Sequence, residues 1–164
     1  MNKILKELLS YILIILIIIL IRSFVVTPIR VRGVSMVPTL YDKQLLLLNK
    51  ISKNYKRFSI VVFDYEQDRL IKRIIGLPGE HIKYKNNILY INGVETTEKV
   101  NLNTEDFDIK ELGYDVVPEG HYFVVGDNRT NSLDSRKIGF ISEKDIIGTA
   151  FFSFFPFDKF GTIK

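Results

Sequence analysis

The stretch "RLIKRIIG", Arg69 to Gly76, places a lysine and an arginine side by side inside an apolar run. Side chains of a β-strand alternate between two faces. Lys72 therefore shares a face with Leu70 and Ile74, and Arg73 shares the other with Ile71 and Ile75. An amine among apolar neighbours loses hydration, which favours its neutral form over the ammonium. The alternative is a surface lysine whose stem covers hydrophobic neighbours while its head stays in water. The pattern reads as a strand, and the lysine's role must be sought in the rest of the chain.

Working outward, "KQLLLLNKI" (43–51) and "FSIVVFDY" (58–65) are also short apolar runs bounded by polar residues, as strands are. "HIKYKNNILYING" (81–93) alternates on both arms and predicts a hairpin turning at Asn86-Asn87, because asparagine tolerates positive φ. "HYFVVGDN" and "KDIIGTAFFSFF" predict further strands, and the acidic stretch 101–119 a surface loop. The expected fold is mainly β over residues 27–164, as a single domain.

Ahead of it, Leu8 to Ile21 is an uncharged run of 14 residues, about 21 Å as a helix. Extended from Ile4 to Val26 it reaches 23 residues, about 34 Å, enough for a hydrocarbon core of about 30 Å. Lys6, Glu7 and Arg22 would then lie near the interfaces. A cleaved leader would need small residues after the run, and "RSFVVTPIRVR" has none of the usual kind. Residues 1–26 are expected to form an uncleaved transmembrane anchor. Lys3 and Lys6 on one side face Arg22, Arg30 and Arg32 on the other, so charge alone leaves the orientation open.

Net charge is +4, from 23 basic and 19 acidic residues, which suits an anionic lipid surface better than dedicated nucleic-acid binding. Two histidines and no cysteine argue against a structural metal site and rule out thiolate chemistry. "FFSFFPF", Phe151 to Phe157, holds five phenylalanines in seven residues. About half should fill the core, leaving an apolar patch able to rest on lipid.

A serine hydroxyl needs a base before it can act as a nucleophile. Ser35 sits in "GVSMVPTL" (33–40), 37 residues before Lys72. His81 and His121 have no motif around them and read as surface residues. "GDNRTNSLDSR", Gly126 to Arg136, packs turn formers, two serines, two aspartates and two arginines behind a strand, and on its own reads as a self-satisfied polar loop.

Together, "GVSMVPTL", "RLIKRIIGLPGE" and "GDNRTNSLDSRKIGF", in that order behind an apolar N-terminus, resemble the boxes of bacterial type I signal peptidases. The resemblance implies Ser35 as nucleophile and Lys72 as general base. It implies that the Ser132 hydroxyl orients the lysine and that Asp134 and Arg136 form a supporting ion pair. It implies a fold of coiled sheets, no cofactor and no metal, and a catalytic domain on the outer side of the cytoplasmic membrane, with the N-terminus in the cytoplasm. Its partners would be signal-peptide-bearing preproteins and membrane lipid, and no nucleic acid. The substrate would be cut after a small-x-small site, lying extended beside 29–33 and 69–72, with Val31, Gly33, Met36, Leu40, Leu70 and Ile71 shaping the pockets. Gly33 departs from the pattern, since some relatives carry a hydroxyl there that assists the oxyanion. The other readings are a self-cleaving Ser/Lys protease of the repressor type and a non-catalytic relative assisting surface-protein assembly.

Overall fold

A computed structural model of the chain describes residues 3–163 apart from 25, 99, 101 and 102. Helix α1 (Lys3–Phe24) leads into β1 (Val26–Arg30), β2 (Leu45–Asn49), β3 (Ile60–Tyr65) and β4 (Asp68–Gly76). Then come β5 (Ile82–Lys85), β6 (Ile88–Ile91), β7 (Val94–Thr96), β8 (Phe107–Asp108) and β9 (His121–Val125). A four-residue helix α2 (Ser135–Ile138), β10 (Ile141–Ser142), β11 (Ile146–Phe155) and β12 (Gly161–Thr162) complete the chain. The mainly β expectation holds, and each strand read from the sequence is present.

The larger sheet runs β1-β2-β11-β3-β4-β9-β10, with β12 on β11, and the smaller one β7-β6-β5-β8. β3 and β4 pair antiparallel from Ile60 opposite Arg73 to Tyr65 opposite Asp68. Their apolar residues serve two cores: Val61, Phe63 and Ile74 pack with Tyr122 and Val124, whereas Ile60, Val62 and Ile71 pack with Leu46, Leu48 and Leu40. A strand pair covered on both faces needs a nearly continuous apolar run, which is what these segments supply. Asn86 and Asn87 take φ of 52° and 66°, the left-handed conformation that the hairpin turn requires.

β4 pairs with β9 only through Arg73, Ile74 and Gly76. Its stretch 68–72 therefore has a partner strand on one side only, and β1, at the end of the larger sheet, is paired only with β2. Between these two open edges lies a groove of about 670 Å³, lined among others by Pro28, Ile29, Gly33 and Leu70.

Two expectations need correction. Residues 101–119 are not merely a surface loop: β8 pairs with β5, and Phe107, Ile109 and Val117 are buried with Phe123 in a third core. The acidic composition hid these apolar anchors, which are spaced too irregularly to read as a strand. None of the five phenylalanines of 151–157 is fully buried. The inward place in this stretch belongs to Ser153, whose hydroxyl accepts from Gln44 Nε2 at 2.7 Å. Breaks in register along β11, between Ala150 and Phe152 and between Ser153 and Phe155, upset the two-residue alternation that would have buried one face. Phe155, Phe157 and Phe160 are exposed.

Helix α1 has 22 residues, about 33 Å of rise. Its side chains are described without interruption over 6–20, and among the described residues no helix is long and apolar enough to cross a membrane.

Leu46 of β2, the strand paired with β11, is fully buried in the core with Leu40 and Val62. Leu46→Ala is expected to lower stability by about 2–5 kcal/mol, read as a lower urea midpoint with an unchanged slope.

Candidate active site

Lys72 stands midway along β4, opposite Val61 of β3, and is 2% exposed. Its amine donates to Ser35 Oγ at 2.8 Å and to the Ile71 carbonyl at 3.0 Å. Burial is the largest influence on this group and lowers its pKa from 10.5 to about 8, while the charges of Asp134 and Asp127 push it back up. A serine hydroxyl needs a group to take its proton before it can attack, and an amine whose charged form is weakened by burial is able to do so.

Ser35 follows a bend in which Gly33 adopts φ +83° and donates its amide to Asp42 Oδ1 at 2.9 Å. The loop 126–136 holds the Ser35 backbone in place. The Asn128 amide donates to the Ser35 carbonyl at 2.9 Å, and its side chain donates to the Val34 carbonyl at 3.2 Å. Gly126 leaves no room for a side chain there, since a methyl would lie 2.6 Å from the Ser35 carbonyl oxygen and overlap the Ser132 hydroxyl.

The charges of this loop are internally matched. Asp134 accepts from Arg136 Nε and Nη2, both at 2.9 Å, and from the Gly126 amide at 3.0 Å. Burial raises its pKa, but these donors outweigh that and hold the carboxyl below its ordinary value. Asp134 also caps α2. Asp127, fully buried, accepts from Arg73 Nε at 2.9 Å and Nη2 at 2.7 Å. Ser132 is buried near Asp134, close enough to help support its charge. Its hydroxyl nevertheless meets hydrogen-bond geometry with no described group, Lys72 included.

The structure thus brings together Ser35, Lys72, Asp134 and Arg136, and sets Ser132 alongside. Of the six residues expected at the pockets, Gly33 and Leu70 line the groove, whereas Val31, Met36, Leu40 and Ile71 are packed together in the core. Neither histidine joins the site: His81 Nδ1 pairs with the Asp115 carbonyl and His121 Nδ1 with that of Glu119. Sequence reasoning missed Arg73, Asp127 and Asn128. The signal for Arg73 was its place beside Lys72 in an apolar strand, since a buried guanidinium demands a buried acid. Among the described residues, no three His, Cys, Asp or Glu are grouped to hold a metal ion.

A groove between open strand edges that reaches Gly33 and Leu70, with a hydroxyl in contact with a buried amine two residues further along each segment, suits a serine peptidase. Comparison with known proteins makes the class specific. The family model described as signal peptidase, peptidase S26, matches residues 4–155, and the chain belongs to that family. It is 42% identical over 158 residues to a signal peptidase I of Bacillus amyloliquefaciens, covering 89% of this chain and 85% of that protein. It is 38% identical over 178 aligned positions to signal peptidase IB of Staphylococcus aureus, covering 94% and 93%. A crystal structure of a signal peptidase I from Enterococcus faecalis, 38% identical, superposes with a TM-score of 0.55 over 58% of this chain and 96% of that one. The chain is a serine peptidase hydrolase of this membrane-associated family, whose members act on signal-peptide-bearing preproteins.

Gly126→Ala should leave the protein folded but reduce peptide cleavage by about 10- to 100-fold, because the methyl displaces the Ser35 backbone by a fraction of an ångström or more. Initial rates on a precursor, compared at equal folded concentration by circular dichroism, check this.

Proposed function

We propose that this chain is a membrane-anchored endopeptidase that removes N-terminal signal peptides after small-x-small sites, with Ser35 as nucleophile and neutral Lys72 as general base. The observation that carries the reading is the 2.8 Å contact between Ser35 Oγ and an amine held almost wholly out of water. As Oγ attacks the scissile carbonyl, its proton passes to Nζ. The resulting ammonium then protonates the departing amine, leaving an acyl ester on Ser35. A water, deprotonated by the same amine, hydrolyses that ester. The Ser35 backbone N–H donates to the oxyanion. Gly33 offers no side chain for a second donor, and a methyl there would meet open space.

Asp134 and Arg136 fix the loop behind the site, and Ser132 orients the amine once substrate is bound. The preprotein segment lies extended in the groove, adding main-chain bonds to the open edges of β1 and of β4 at 68–72. Small residues are selected because Val31 and Ile71, packed in the core beside it, leave little depth. Residues 1–26 anchor the chain with the N-terminus in the cytoplasm and the domain outside. In support, the described apolar side chains of α1, Ile12 to Leu20 among them, are exposed all round and find no cover on the domain. Exposed Phe155, Phe157 and Phe160 rest against lipid.

The test is cleavage of a precursor bearing an Ala-x-Ala site by the full chain in detergent. Wild type should cut, and Ser35→Ala and Lys72→Met should lose essentially all activity. Equal cleavage by the Lys72 variant sinks the proposal. Because Lys72 acts only when neutral, the wild-type rate should rise as pH climbs through about 8 and level off above it. A flat profile between pH 6 and 10 would remove the amine from the mechanism.

A further inference from the structure

Glu98 follows β7 in the smaller sheet and belongs to none of the sequence boxes. Its side chain is 8% exposed and faces Arg129, whose side chain is 1% exposed. Glu98 Oε1 accepts from Arg129 Nη2 at 2.7 Å, and Oε2 accepts from Nη1 at 3.0 Å. The Tyr84 hydroxyl of β5 donates to Glu98 Oε1 at 3.1 Å. Burial pushes that hydroxyl's pKa well up, so it stays a donor. The guanidinium also lies over the Tyr84 ring, 5.4 Å from its centre.

Arg129 is the residue after Asn128, which holds the Ser35 and Val34 carbonyls. The Arg129 carbonyl in turn accepts from Arg136 Nη2 at 2.8 Å, the same nitrogen that grips Asp134. Polar contacts on either side of the Asn128–Arg129 peptide bond therefore connect the smaller sheet to the Ser35 backbone. We propose that Glu98 is a positioning residue: it clamps Arg129, and through Arg129 it fixes the loop 126–136 against Ser35. The inference rests on the reading of Ser35 and Lys72 given above.

The physical ground is the cost of an unmatched charge. With Glu98 neutralised, the Arg129 guanidinium is left buried without its acid, and the least expensive relief is to swing it toward water. That motion pulls on Asn128 and on the Arg136 contact together. A shift of about 1 Å at a reacting group is enough for about a 100-fold loss. A merely architectural ion pair would instead lower overall stability and leave turnover alone.

The test uses the full chain in detergent with an Ala-x-Ala precursor, comparing wild type, Glu98→Ala and Glu98→Gln well below their melting temperatures. The expected result is a kcat about 10- to 100-fold lower for the alanine variant, a smaller loss for glutamine, and KM within about twofold of wild type. Hydrogen exchange should quicken at the amides of 126–128 while those of β3 and β4 keep their protection. Folded variants with wild-type kcat, or a uniform rise in exchange across both sheets, would overturn the clamp. If the alanine variant does not fold, the glutamine variant decides by the same two measurements. A wild type that cuts nothing would instead strike at the Ser35–Lys72 reading, and the exchange pattern, which needs no turnover, would still judge Glu98.

Discussion

The structure turns on keeping one amine out of water. A lysine in solvent holds its proton at neutral pH, and the free energy needed to remove it comes here from burial. That burial is a property of β4 rather than of Lys72 alone. Ile71 and Ile74 flank the lysine and pack into different cores, and Val61 lies opposite it. A strand covered on only one face would leave a route for water to the amine. The two-sided packing of the β3–β4 pair is therefore what keeps the Lys72 amine dry beside the Ser35 hydroxyl.

Burial would be undone by a free carboxylate nearby, since an unshared negative charge raises an amine's pKa. Two carboxylates, Asp127 and Asp134, do act on Lys72 in that direction. Each, however, is held through two nitrogens of its own arginine, Arg73 or Arg136. Their charge is largely spent before it reaches the lysine, and desolvation remains the larger influence. The same pairs shape the loop that presents its backbone to Ser35. One set of arginines thus performs two tasks, rigidity and electrostatic insulation, and both fail together if a pair is broken.

Short apolar runs bounded by polar residues made the strands of the larger sheet legible, alternation did so for the 81–93 hairpin, and its Asn86-Asn87 turn was legible because few residues accept positive φ. The pairing of Ser35 with Lys72 was not. With 37 residues between them, only tertiary contact joins them, and the expectation came from resemblance. Arg73 was read as pointing away from the lysine, which its position on the strand supports, but its buried acid lies 54 residues on and no local pattern names it. The phenylalanine tail misled because composition carries no information about bulges: with the slips in β11, none of the five rings of 151–157 is fully buried, and a serine takes the inward place. Val31, Met36, Leu40 and Ile71, expected to wall pockets, are buried together in the core, while Gly33 and Leu70 line the groove. Hydrophobicity alone cannot separate a wall from its backing.

An unpaired strand edge is ordinarily a hazard, because it invites a second chain to add to the sheet. This chain leaves two such edges facing one groove and guards them with the devices edge strands commonly use. Pro28 removes a donor from β1, exposed Arg30 and Arg32 follow it, and β4 begins with exposed Asp68 and Arg69. Charges on both edges oppose pairing with another copy of the same sheet. The main-chain groups between them remain available to a single extended peptide entering from the end. If such a peptide is the substrate, as proposed, its backbone completes the sheet where the fold stops, and the scissile bond is placed by the ladder rather than by deep side-chain pockets. Such a ladder would account for a groove that reaches Gly33 and Leu70, each two residues short of Ser35 or Lys72, without needing a cavity at Ser35 itself.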